Sequence, residues 1–115
     1  MSLIQKGADI LTVIVVIEVE PRNFDALFDL IVRESTEFIR NQPGFISANL
    51  HRTPDSTRLI NYGQWESREL YEEALARDEF EAFAKQVEAL AISITPIPCD
   101  VIFTEEHTRT AVAKR

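Results

Sequence analysis

The chain has 115 residues, a formal net charge of −7 and a pI near 4.8, and 45% of its residues are hydrophobic. This describes one globular domain with one modest core. The acidic balance argues against phosphate-backbone binding as the main role and against an anionic membrane surface, because both rest on clustered Lys and Arg.

Taken in chain order, residues 1–9 read as a flexible lead. Met1 to Lys6 lack the long apolar core of a signal peptide. The longest apolar run, Val13 to Ile17, falls far short of the ~20 residues of a membrane helix. Cys99 is alone, so no internal disulfide forms, which fits a reducing compartment. The expectation is a soluble, cytoplasmic protein.

Ile10 to Glu20 is rich in β-branched residues and predicts a strand. It is apolar on both faces for most of its length, as a central, doubly covered strand is. Pro21 ends it. Asn23 is placed as an N-cap, and Phe24, Leu27, Phe28, Ile31, Ser35 and Phe38 follow helical spacing. The helix should stop near Asn41, ahead of Pro43-Gly44.

Phe45 to Arg52 alternates apolar and polar residues, and Thr57 to Trp65 returns after a turn at Thr53-Pro54-Asp55-Ser56. A four-residue turn pairs Arg52 with Thr57, Ala48 with Asn61 and Leu50 with Leu59. His51 then shares a face with Arg58 and Ile60, and a one-residue change in loop length would reverse this. Ser67 caps a helix with Leu70, Tyr71, Ala74 and Leu75 on one face. After a break at Arg77-Asp78, a second helix runs from Glu79 to about Ala91 on a stripe of Phe80, Phe83, Ala84, Val87 and Leu90. Glu72 and Glu73 on the first of these helices and Glu79, Glu81 and Glu88 on the second read as a solvated face. Pro96 and Pro98 flank a short extended piece, and Cys99 to Thr104 reads as the last strand. The domain is drawn as residues 10–106, with 107–115 a polar tail.

The stretch Leu59 to Tyr71 carries the functional interest. Strand alternation puts Leu59, Asn61, Gly63 and Trp65 on one face. An aromatic and a carboxamide thus flank a residue without a side chain. Gly63 marks either a close approach to the backbone or a bulge. The set is either the floor of a small pocket or a packed Trp beside a hydrogen-bonded Asn. With Tyr71 on the next helix, a pocket would suit a flat, apolar, oxygen-bearing ligand.

Strand, helix, strand, strand, broken helix, strand is the split βαβ order of ferredoxin-like α+β folds, with helices on one face of an antiparallel sheet. The other face would carry Ile14, Val16, Phe45, Ile60 and Tyr62. An open apolar sheet face calls for a partner, and a two-fold homodimer packing sheet on sheet into one barrel-like core supplies it. Three glycines form no phosphate loop, and two His with one Cys supply a metal site poorly. Cys99 reads as a small buried hydrophobe without a His partner.

At Pro43-Gly44-Phe45-Ile46-Ser47-Ala48 and at Asn61-Tyr62-Gly63-Gln64-Trp65-Glu66-Ser67 the sequence resembles the antibiotic biosynthesis monooxygenase family, over residues 10 to 105. The resemblance implies a dimeric α+β barrel. Within that family the match is nearest to the cofactor-independent, quinone-forming members. It implies catalytic roles for Asn61, Trp65 and Tyr71, and substrate contacts from His51, Gly63 and Lys85, where Lys replaces an Arg and loses its planar fork. It implies neither cofactor nor metal, only a small aromatic substrate and O2. The haem-degrading branch is disfavoured, because Leu75 stands where its axial His should be. A non-catalytic small-molecule binder or stress-response barrel, or a polyketide cyclase or isomerase, are the alternatives.

Overall fold

The computed structural model describes residues 10–107. The sequence-derived lead at 1–9 and most of the tail, 108–115, lie outside the described residues. Four strands form one antiparallel sheet: β1 (Leu11–Val19), β2 (Phe45–Arg52), β3 (Arg58–Trp65) and β4 (Ala91–Cys99), in the order β2-β3-β1-β4. Three helices, α1 (Phe24–Glu37), α2 (Arg68–Leu75) and α3 (Asp78–Leu90), cover one face. This is the ferredoxin-like α+β fold. No helix among the described residues is long and apolar enough to cross a membrane.

β1 occupies the centre because its β-branched run satisfies both neighbours: Ile17 pairs with Leu59 on one side and Ile94 on the other. Ile17, Val19, Leu27, Leu59 and Val87 join Phe24, Leu30, Ile31 and Phe83 in the main core. A smaller cluster of Leu11, Val13, Trp65 and Ala74 lies at the other end of the same layer.

Four local expectations change. The first concerns Asn23, which does not cap α1 with its side chain. A 3-10 turn over Pro21–Asn23 runs straight into the helix, so Asn23 is already in the helical region, at φ −102° and ψ −1°. Ser67, by contrast, has extended backbone, and its Oγ accepts from the Leu70 N–H at 3.1 Å, a true N-cap.

The hairpin register is the second. Leu50 faces Asn61, Ala48 faces Gly63 and Arg52 faces Leu59, two residues from the expected pairing. The cause is a longer loop. Asp55 Oδ1 accepts from the Thr53 hydroxyl (2.9 Å), the Thr57 N–H (3.1 Å) and the Thr57 hydroxyl (2.7 Å), while Ser56 takes φ +60°. A two-residue shift preserves the faces, because the side-chain period is two.

Third, Phe45 lies on the helix side rather than the open side. A register irregularity between Phe45 and Ser47 inserts Ile46 as an extra residue, and Phe45 pairs with Trp65.

Fourth, the last strand is Ala91–Cys99, not Cys99–Thr104. Both prolines lie inside it, Pro96 opposite Val15 and Pro98 opposite Val13. They share one phase of the hydrogen-bonding alternation on an edge strand, so the missing N–H groups fall at the open edge, where no ladder bond is lost. Residues 100–107 carry no regular structure, and Ile102 and Phe103 are exposed.

The sheet face away from the helices carries Ile14, Val16, Ile60 and Tyr62, all only half-buried, with Ile97 exposed beside them.

Candidate active site

Between sheet and helices, at the Trp65 end, lies a cavity of about 580 Å³. That is within the range of roughly 300–1,000 Å³ typical of small-molecule sites. Its floor is β1 (Val13, Val15), β2 (Ala48, Leu50) and β3 (Asn61, Gly63, Trp65), and its roof is α1, α2 and α3. Most of the lining is apolar, so a guest is desolvated on entry.

Three polar groups on the floor and near wall are held by local structure. The Asn61 Oδ1 accepts from the Asn49 backbone N–H at 3.2 Å across the hairpin. Because that partner is a donor, the amide oxygen must face it, and Nδ2 is turned the other way. It lies over Gly63: a Cβ built there would stand 3.6 Å from Nδ2 and 3.6 Å from the carbonyl oxygens of Ser47 and Val13. That is ordinary contact, so Gly63 is not forced by a clash. There is no bulge at Gly63, which pairs regularly with Val13 and Ala48. The missing side chain serves as space beside the amide.

Trp65 is 5% exposed. Edge-to-face contacts brace its indole from both sides, with ring centroids 5.5 Å from Phe45 and 5.6 Å from Tyr71. Gly44 makes this corner possible. It takes φ +89°, and a Cβ there would sit 2.6 Å from Leu70 Cβ, so only glycine admits α2 this close. Its carbonyl accepts from the Glu66 N–H at 2.7 Å, tying the end of β3 to the start of β2. Among the described residues, no protein group hydrogen-bonds the Trp65 Nε1–H or the Tyr71 hydroxyl. Burial pushes the Tyr71 phenol above its usual 10.0, so it is neutral around pH 7 and acts as a donor, not a base.

Asn61, Gly63, Trp65 and Tyr71 therefore line one cavity, joined by Leu75. Two other residues that the resemblance places against substrate, His51 and Lys85, are not part of this lining. His51 pairs with Ile60 on the opposite sheet face, is exposed, and borders a separate cleft with Phe24 and Phe28. Lys85 is exposed on α3 and outside the lining; the neighbouring positions Ala84, Val87 and Glu88 take the cavity side. Among the described residues no group of three or more His, Cys, Asp or Glu could hold a metal ion.

Sequence reasoning missed Phe45, Ser35, Thr36 and Glu88 as lining residues. Phe45 needed the bulge to be known. Ser35 had left a signal, as a hydroxyl within the apolar stripe of α1. Glu88 was assigned to the solvated face; it remains exposed but borders the cavity.

Comparison with known proteins gives a consistent picture. The model of the family described as antibiotic biosynthesis monooxygenase matches residues 10–86. The chain is 36% identical over 67 residues to tetracenomycin-F1 monooxygenase of Streptomyces glaucescens, covering 58% of this chain and 60% of that protein's length. It superposes on the Streptomyces coelicolor monooxygenase from the gene ActVA-Orf6, solved in complex with the ligand nanaomycin D, at a TM-score of 0.75 with 25% identity, covering 85% of this chain and 92% of that one. It also superposes on SnoaB, a cofactor-independent oxygenase from Streptomyces nogalater, at a TM-score of 0.66 with 27% identity, covering 90% and 99% of the two chains.

Proposed function

The chain belongs to the antibiotic biosynthesis monooxygenase family, and from that premise we propose that it oxidises a small aromatic phenol or anthrone of polyketide type to a quinone with O2, using no cofactor. The observation that carries this is the cavity itself: a mostly apolar space in which Asn61 Nδ2, Trp65 Nε1 and the Tyr71 hydroxyl are all available as donors. Relatives named as a tetracenomycin-F1 monooxygenase and as a cofactor-independent oxygenase support it.

The residues suggest how the reaction runs. An anthrone enters with its carbonyl oxygen toward Asn61 and Trp65. Charge builds on that oxygen as the ring carbon opposite loses a proton to water, and the two N–H groups stabilise it. No strong base is needed at that end, because the donors lower the substrate's own pKa. Tyr71, kept neutral by burial, orients the ring hydroxyls. The carbanion then bonds O2, the peroxide anion takes the proton back from water to give a hydroperoxide, and loss of water leaves the second carbonyl. One O2 is consumed per quinone, with one oxygen atom retained and the other leaving as water. Removing one such donor typically costs about 10²–10³ in rate. A homodimer formed through the open face of Ile14, Val16, Ile60 and Tyr62 completes the proposal.

The test is conversion of a panel of anthrones and hydroquinones by purified protein, with and without oxygen. Conversion of an anthrone that requires O2 supports the monooxygenase. Anaerobic conversion would instead indicate a cyclase or isomerase. A thermal shift with no conversion in either atmosphere would indicate a binding protein.

A further inference from the structure

The cavity's charge balance says more about its guest, on the reading that this cavity is the substrate site. Among the described residues that line it, Glu88 alone is charged at neutral pH and none is a cation. The elements that roof it are strongly acidic. α1 carries Asp25, Asp29, Glu34 and Glu37 against Arg33, a net −3. α2 carries Glu69, Glu72 and Glu73 against Arg68, a net −2. α3 carries Asp78, Glu79, Glu81 and Glu88 against Lys85, a net −3. The three helices thus total −8, while the whole chain is −7, so everything else nets +1. The negative charge of the molecule therefore lies on the three helices.

We infer that Glu88 is a specificity-determining residue at the rim, which sets this enzyme to take aromatic substrates that are uncharged at neutral pH and to reject those bearing a carboxylate. A planar guest that fills the floor has one end beside Asn61 and Trp65 and the other beneath the helices. A carboxylate at that outer end meets a carboxylate on α3 and the field of the roof, with no lining cation to receive it. Ser35 and Thr36, the other polar side chains that α1 contributes to the lining, can hydrogen-bond a neutral hydroxyl and so favour a polyphenol there. Rejection by an unmatched charge is a common way for a pocket to discriminate.

Trp65 is the sole tryptophan and lies in the cavity, so its fluorescence reports occupancy without turnover. The experiment titrates two quinones that differ at one carbon, a dihydroxyanthraquinone carrying a hydroxymethyl group and the same ring carrying a carboxylate. At low ionic strength the carboxylate form should bind roughly threefold to thirtyfold more weakly, the range for two unit charges ~8 Å apart near a protein surface. The gap should narrow in high salt. It should also shrink in Glu88→Gln and shrink further in Glu88→Lys, while Glu81→Lys, the same charge change on an exposed site outside the lining, should move it less. Equal binding of the two ligands by the native protein would overturn the inference and leave the proposed function standing. An equal response to Glu81→Lys and Glu88→Lys would remove the role of Glu88. Failure of both quinones to quench Trp65 would overturn the proposed function as well.

Discussion

The two ends of the helix–sheet layer are made from the same elements but are packed differently. At one end Leu27 and Leu59 have no exposed surface, Val19 has 1%, and they pack with Phe24 and Leu30 away from the cavity lining. At the other end the small cluster of Leu11, Val13, Trp65 and Ala74 leaves Val13 and Trp65 lining a cavity of about 580 Å³, which also reaches Ile17, Ile31, Phe83 and Val87 of the main core. Along each element the side chains become smaller or polar: Leu59 gives way to Asn61 and Gly63 on β3, Leu27 and Ile31 to Ser35 on α1. One end of the layer supplies stability, and the other spends some of it on a site.

Truncation should separate the two ends. Leu59→Ala in the closed core should cost about 2–5 kcal/mol, as cavity-forming Leu substitutions do. For a domain of this size that lowers Tm by about 10 °C or more, measurable by thermal unfolding. A loss below about 1 kcal/mol would mean that the closed end is not the stabilising one.

Gly63→Ala tests the open end in the opposite direction. A methyl group meets its neighbours at 3.6 Å, without a clash. The substitution should raise stability by about 0.4–1 kcal/mol through the unfolded chain. It should also weaken anthraquinone binding severalfold by filling the space beside the Asn61 amide. Calorimetric unfolding and a Trp65 quenching titration on the same sample read both effects. Unchanged affinity would show that this gap is not used.

The smallest effects concern pH. The Tyr71 phenol has a folded pKa raised above 10.0 by burial, so its contribution is complete below pH 10 and is lost as pH rises through the folded value. Asp55 is the reverse case. Hydrogen bonds, first from the Thr57 side chain, hold its carboxyl below 3.8, so its contribution is present above pH 3.8 and fades as pH falls through the lowered value. Denaturant melts from pH 3 to 11 should therefore show a plateau between these limits. Tyr71→Phe should remove the alkaline loss only.

Much of this was readable from residue order. Strand alternation alone placed Asn61, Gly63 and Trp65 on one face, and helical spacing put Tyr71 above them, because those periods are local and rigid. The steps that failed depend on tertiary context. Pro96 and Pro98 looked like breakers, since only an edge position makes a proline-bearing strand harmless. Phe45 was assigned to the wrong face because one inserted residue, Ile46, reverses every side chain before it. The paired strand positions were two residues out because an Asp55-centred loop is longer than a tight turn. Lys85 was carried to the cavity by resemblance, although the helix turns its neighbours inward and leaves Lys85 in solvent.

The most direct test is an oxygen-electrode measurement on metal-free protein with dithranol, comparing the native chain with a variant carrying both Asn61→Ala and Trp65→Phe. The account predicts O2 uptake well above the spontaneous rate, one O2 per anthraquinone formed. It predicts a fall of at least about 10²-fold in the variant, with folding retained. Uptake no faster than the spontaneous rate, or uptake that the double substitution leaves intact, would contradict it.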